Sequence, residues 1–184
     1  RVVITASSET TLRGAASELQ KVPGAEVLPV RADVRSYDDV DRTMRAVVQQ
    51  FGGIDILVNN AGVGVFRPVA DMSIEEWHRV IDTNLTGVFH CCRAALPHLR
   101  ARGAGWIINI SSLAGANAFP EAAAYCASKA GLNAFSEALM QEVRHDGVRV
   151  AYVMPGSVRT GFDGRTAGDD DWKLAPDDVA QVVV

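Results

Sequence analysis

Short apolar runs alternate along this chain with stretches in which apolar residues recur every three or four positions. The runs are 2–5, 26–30, 54–58, 106–110 and 148–153. They have the length of strands, and Gly, Pro, Asn, Asp or Ser residues punctuate the segments between them. The periodic stretches predict helices over 8–21, 38–51, 73 to about 99 and 122–144, with a last helix opening at Pro176. Ser7 or Ser8 can cap the first, and Gly52-Gly53 stops the second. Ser73 and Glu76 form a capping-box pattern at the head of the long region. Pro176 suits a first helical turn. Strands alternating with amphipathic helices predict an α/β fold: a doubly wound parallel sheet, Rossmann-like, in three α/β/α layers. The run 54–58 is wholly apolar, as expected of a strand covered on both faces. The stretch 161–171 is rich in Gly and Asp and reads as a flexible loop.

The 184 residues fit a single domain over 1–184 with a sizeable core. Net charge is −4 and the Lys and Arg residues are scattered, which argues against a nucleic-acid surface. No apolar run is long enough to span a membrane, and no signal-peptide pattern opens the sequence. Three cysteines, Cys91, Cys92 and Cys126, form no CxxC pair. They read as reduced thiols packed as small hydrophobes in a cytoplasmic protein. The first strand begins without a methionine, and Val182-Val183-Val184 breaks off inside a helix pattern. Residues are therefore expected to be missing at both ends.

In an open parallel sheet, ligands bind beyond the carboxyl ends of the strands. The residues following each strand here are Ala6-Ser7-Ser8, Ala32-Asp33-Val34, Asn59-Asn60-Ala61-Gly62, Ser111-Ser112 and Pro155-Gly156-Ser157-Val158-Arg159-Thr160. Small and polar residues collect in all five sets. Tyr125 and Lys129 lie about one turn apart on a helix and so share a face. A free phenol is a poor base at neutral pH, but a nearby cation favours the phenolate. A phenol tuned this way can give a proton to a carbonyl or take one from an alcohol.

Taken in order, these segments resemble the short-chain dehydrogenases/reductases. Asn59-Asn60-Ala61-Gly62 matches the NNAG motif, and Asn84 matches the asparagine of the central helix. Ser112, thirteen residues before Tyr125, matches the catalytic serine. Tyr125 and Lys129 match YxxxK, and Pro155-Gly156 with Thr160 matches PGxVxT. The resemblance implies an NAD(P)-dependent oxidoreductase that moves a hydride between a nicotinamide and a ketone or secondary alcohol. It implies Tyr125 as general acid/base, Lys129 as its electrostatic partner and holder of the ribose hydroxyls, and Ser112 as hydrogen-bond donor to the substrate oxygen. Asn84 would hold a water linking Lys129 to solvent. Cofactor contacts are implied at Asp33 and Val34 (adenine), at Asn60, Ala61 and Gly62, and at Pro155, Gly156, Val158 and Thr160. Packing through the two long helices, as a homodimer or homotetramer, is implied as well. A non-catalytic dinucleotide-sensing or scaffold member of the same fold is the alternative.

Plain structural readings stand beside these. Asp33 can be the cap of a turn, and Asn59 and Asn60 can brace neighbouring strand ends. His78, His90, His98 and His145 lack metal-binding spacing, so no metal site is expected. No GxSxG elbow supports a hydrolase built on Ser112. The family's glycine-rich phosphate turn is absent, so the chain as written should not bind a dinucleotide tightly. The first strand present matches the family's second. Its tip carries Ala6 and Ser7 in place of a carboxylate, which favours NADP over NAD. The substrate wall is expected from residues 113–119, 63–66 and 157–172, with Phe119, Phe162 and Trp172 lending it apolar character.

Overall fold

The computed structural model describes residues 1–162 and 172–183. Five parallel strands run through it: β1 (Val2–Ala6), β2 (Val27–Arg31), β3 (Ile56–Asn59), β4 (Gly105–Ile110) and β5 (Val148–Val153). β1 pairs with β2 from Val2 opposite Val27 to Ala6 opposite Arg31. β4 is central to a second group, between β3 and β5. Among the described residues six α-helices accompany them: α1 (Glu9–Leu19), α2 (Tyr37–Phe51), α3 (Ile74–Ile81), α4 (Gly87–Arg102), α5 (Ala123–Val143) and α6 (Pro176–Val183). The expected α/β architecture is present, and the element ends fall within about two residues of those expected, except in the long middle region.

The helix signals act as read. The Ser8 hydroxyl accepts from the Thr11 amide at 3.3 Å. Ser73 and Glu76 make both bonds of the capping box. Gly52 closes α2 at φ 83°, where a side chain would be strained. Along α2, Val40, Met44 and Val47 form one buried stripe against α4. The main core lies between β3–β5 and the helices α2, α4 and α5, with Leu99, Ile107, Leu132, Val143 and Val148 all but fully buried.

Two expectations are corrected. First, the region from Ser73 to Leu99 is not one regular helix. Between α3 and α4 the turn Asp82–Thr86 widens to a π-helix. The extra residue turns Asn84 into the interior, where its side chain is fully buried and takes both backbone groups of Val63. Gly87 follows because Val34 fills the space above it: a Cβ there would lie 2.8 Å from Val34 Cγ2. Second, β3 is not covered on both faces. Ile56 is 57% exposed and Val58 43% exposed. β1 and β3 are not hydrogen-bonded to each other. A cavity of about 370 Å³ lies between them, lined by Val3, Ile4 and Thr5 on one side and by Ile56–Asn59 on the other.

Candidate active site

The carboxyl ends of β3, β4 and β5 open into a larger cavity of about 990 Å³. Tyr125 stands in the first turn of α5 and Lys129 in the second, as their spacing predicts. Both line this cavity, together with Ser112, Asn60, Gly62, Pro155, Gly156, Val158 and Thr160. Ala61 and Val34 line the smaller cavity instead, which meets the larger one at Val58 and Asn60. Ala6, Ser7 and Asp33 line neither, and Asn84 lies beneath, inside the protein.

Lys129 is 5% exposed. Its Nζ donates to the carbonyl of Ile110 at 2.7 Å and lies 5.8 Å from the centroid of the Tyr125 ring. Burial lowers the ammonium from its ordinary 10.5 to about 8. Burial pushes the Tyr125 phenol upward, and the Ser112 hydroxyl beside it pulls it back. The expected lowering of the phenol by Lys129 is therefore not seen in this state. The ammonium is anchored at the end of β4 and stands over the ring, and the phenol's shift is set by burial and by Ser112.

Ser112 Oγ accepts from the amide of Ala114 at 3.1 Å, which leaves its own hydrogen available to donate toward the cavity. Asn84 Nδ2 donates to Val63 O at 2.9 Å and to Ser128 Oγ at 3.0 Å, while its Oδ1 accepts from Val63 N at 2.8 Å. Both Nδ2 hydrogens are thus used, and only acceptor capacity remains for a water. Ser128 Oγ donates in turn to Tyr125 O at 2.7 Å, which ties the π-helical turn to the turn bearing the phenol.

Asn59 braces the sheet as read. Its Nδ2 donates to Asn109 Oδ1 at 2.8 Å, and Asn109 Nδ2 donates to Ser136 Oγ at 2.8 Å, joining β3, β4 and α5. The Asp33 carboxylate is taken up locally by Arg35, with Nη2–Oδ2 at 2.6 Å and Nε–Oδ1 at 3.0 Å. Arg35 holds it below the usual carboxylate range. Val34 O faces His90 Nδ1 at 3.0 Å, a structural place for that histidine. Among the described residues no group of His, Cys, Asp and Glu could hold a metal. Burial raises the Cys91 and Cys92 thiols to about 11 and about 12, so neither is a thiolate at neutral pH.

The expected substrate wall is partly realised. Phe66, Leu113, Ala114, Asn117, Phe119 and Phe162 line the cavity. Trp172 does not; it is 72% exposed with Lys173 over its ring. Val65 is buried in a separate cluster with Val80 and Ala124. Residues 163–171 of the expected flap lie outside the described residues.

Several contributors have no motif. α6 lines the cavity through Val179, Ala180 and Val183. Ser111 donates to Asn133 Oδ1 at 2.5 Å, steadying the stretch of α5 beside Lys129. Arg31, which the pairing sets opposite Ala6, reaches across to donate Nε to Ser7 O at 3.1 Å. Its only available signal was the β1–β2 register. Glu9, the nearest carboxylate in sequence, turns away to Arg13 at 2.8 Å.

These residues suit the nicotinamide end of a dinucleotide. Lys129 offers a cation, Thr160 a hydroxyl and Gly62 a floor without a side chain, whose Cβ would otherwise stand 3.9 Å from Lys129 Nζ. No glycine-rich strand-to-helix turn for a pyrophosphate exists among the described residues.

The profile of the family described as short chain dehydrogenase matches residues 1–171. A 3β-hydroxysteroid dehydrogenase of Eggerthella lenta is 40% identical over 170 residues, covering 92% of this chain and 65% of that protein. The structure of an alcohol dehydrogenase from the archaeon Thermococcus sibiricus, complexed with 5-hydroxy-NADP, superposes with a TM-score of 0.90 at 31% identity. It covers 98% of this chain and 77% of that one. An NAD⁺-bound xylitol dehydrogenase superposes at 0.83 with 33% identity, over 88% and 62% of the two chains. With the profile running from the first residue through the YxxxK helix and past β5, this chain belongs to the short-chain dehydrogenase family of oxidoreductases.

Proposed function

We propose that this protein interconverts a ketone and a secondary alcohol with NADP(H), Tyr125 serving as general acid and base. The observation that carries the reading is the convergence of Tyr125, Ser112 and Lys129 on one cavity wall, with the Ser112 hydroxyl beside the phenol. Bound nicotinamide would supply or accept the hydride. In the reducing direction Tyr125 gives its proton to the carbonyl oxygen, and Ser112 donates a hydrogen bond to the same oxygen as charge develops there. Lys129 favours the phenolate left behind once a ligand draws its ammonium toward the ring hydroxyl. The acceptor left on Asn84 holds the water through which Lys129 regains a proton. Lys129 and Thr160, with the backbone at Val158, hold the ribose and carboxamide, while Asn60, Gly62, Pro155 and Gly156 form the surrounding wall and Ala61 extends it into the smaller cavity. Asp33 and Val34 reach the adenine as the rim of β2.

NADP is favoured because no carboxylate stands at the tip of β1. Ser7 and Arg31 are there instead, a hydroxyl and a guanidinium suited to a 2'-phosphate. Both nucleotides occur among the structural relatives, so this choice rests on the strand tip. Homo-oligomer formation through the two long helical regions, α3 with α4 and α5, and a cytoplasmic location belong to the same reading. A panel of ketones and aldehydes, with NADPH loss followed by absorbance, tests it. Turnover of some members supports it. Tight NADPH binding with none turned over would favour the dinucleotide-sensing alternative.

A further inference from the structure

The loop after β2, residues 32–36, is held from two directions. On its own side, Ala32 N donates to Ala6 O at 3.1 Å and Asp33 N donates to Asp39 Oδ2 at 3.1 Å, so β1 and α2 fix its start. The other hold comes from α4, which belongs with the second group of strands. His90 Nδ1 lies 3.0 Å from Val34 O. A carbonyl oxygen can only accept, so this nitrogen carries the hydrogen and His90 donates. One turn earlier on the same helix, Gly87 leaves the space that the Val34 side chain fills, with Val34 Cγ2 only 2.8 Å from where a Cβ would stand. A single helix thus takes both the carbonyl and the side chain of one residue.

The histidine ring is itself held in place. Tyr37, the first residue of α2, meets it edge-on with centroids 5.6 Å apart, and Phe89 lies at 5.9 Å. The Arg93 guanidinium stands 5.5 Å over the Tyr37 ring. These contacts matter because β1 and β2 share no hydrogen bond with β3–β5. Where the rim of β2 stands relative to β3 therefore depends on what α4 grips. Val34, Asn60 and Ala61 line the smaller cavity, which meets the one holding Tyr125 and Lys129 at Val58 and Asn60.

Resting on the dinucleotide reading above, in which Val34 meets the adenine and Lys129 the ribose of the nicotinamide half, we infer that His90 is a positioning residue for the cofactor. It acts through Val34: its hydrogen bond holds the adenine rim at the separation from Lys129 that one dinucleotide spans. Without the bond the peptide after Val34 is free to turn, and the nucleotide must order the loop as it binds. The reacting atoms lie at the other end of the cofactor, so the loss falls on affinity and not on the chemical step.

The test uses the full-length protein and three variants. His90→Phe keeps a ring beside Tyr37 and Phe89 but has no donor, His90→Ala removes ring and donor, and His90→Asn restores an N–H near the Nδ1 position. Affinities for NADPH, NADH and ADP are measured by fluorescence titration and competition, and kcat and KM for the best ketone are measured at saturating NADPH. His90→Phe and His90→Ala are expected to weaken all three nucleotides alike, each roughly three- to tenfold, the effect of one lost hydrogen bond. Equal loss for NADPH and NADH separates this role from reading of the 2'-phosphate. The kcat and the ketone KM stay within about twofold of wild type, and His90→Asn recovers most of the affinity. Nucleotide affinity unchanged in His90→Phe would overturn the inference while leaving the carbonyl reading in place. So would an Asn variant as weak as the Phe variant, or a fall in kcat with affinity intact. A wild-type protein that bound neither NADPH nor NADH would overturn both together.

Discussion

Lys129 Nζ donates to the carbonyl of Ile110 at 2.7 Å while standing 5.8 Å from the centroid of the Tyr125 ring. The cation that should tune the phenol is thus fixed at the end of β4, over the ring's face. The two residues share a helix face, as four-residue spacing requires. Their coupling depends on where the ammonium's remaining hydrogens point once a ligand arrives.

Burying that ammonium has a consequence for stability. Its folded value, about 8, lies below the ordinary 10.5. Between those two values the unfolded chain binds the proton and the folded chain does not, so folding stability rises with pH across this window. Below pH 8 the full penalty is present. Lys129→Met is therefore expected to exceed wild type in stability at pH 7, with the advantage shrinking by about 2–3 kcal/mol as pH approaches 10.5. Urea unfolding of both proteins at pH 7 and pH 10.5 measures this. A pH-independent difference would show that Lys129 is not held in the low-pKa state.

The proposed preference for NADP rests on the strand tip. Arg31→Ala removes the guanidinium held at Ser7 O. It is expected to weaken NADPH binding roughly tenfold with little change for NADH, because only NADPH carries the 2'-phosphate. Ser7→Asp is expected to invert the preference by repelling that phosphate. Nucleotide titrations followed by fluorescence decide it; equal weakening of both nucleotides by Arg31→Ala would remove Arg31 from the phosphate site.

The chain of amides from Asn59 through Asn109 to Ser136 is buried throughout. Asn109→Ala leaves Asn59 Nδ2 and the Ser136 hydroxyl each short of a partner, and is expected to cost about 2–4 kcal/mol. Asn59→Ala is expected to cost less, because Asn109 keeps its bond to Ser136. Denaturant midpoints of the two variants test the order.

Gly115 lies against the backbone of Lys129, where a Cβ would meet its C and O atoms at 2.9 Å. Gly115→Ala must shift α5 or the loop after β4. It is expected to destabilise by about 1–3 kcal/mol and to depress turnover beyond what the stability loss explains. Melting temperature and kcat measured together separate the two effects.

Much of this was legible in the residues alone. β5 spans the expected 148–153, and Ser8, Ser73 and Gly52 cap or stop their helices as read. Ser112, Tyr125 and Lys129 meet on one wall, because strand ends and the first turns of a following helix are brought together by the parallel crossover. What escaped depends on tertiary packing. The π-helical turn at Asn84 has no signature in periodicity, since it exists to turn one side chain toward Val63. The openness of β3 follows from what lies beside it, which an apolar run cannot report. Arg31 reaches Ser7 only through the β1–β2 register. The upward shift of Tyr125 comes from burial, and the spacing of a motif carries no information about burial.

The proton-transfer role of Tyr125 is tested most directly by Tyr125→Phe in the full-length protein, with NADPH affinity and steady-state reduction of the best ketone measured side by side. Nearly unchanged affinity with kcat lowered at least about a hundredfold is the predicted result. Turnover close to wild type would contradict it and leave the phenol a wall of the cavity.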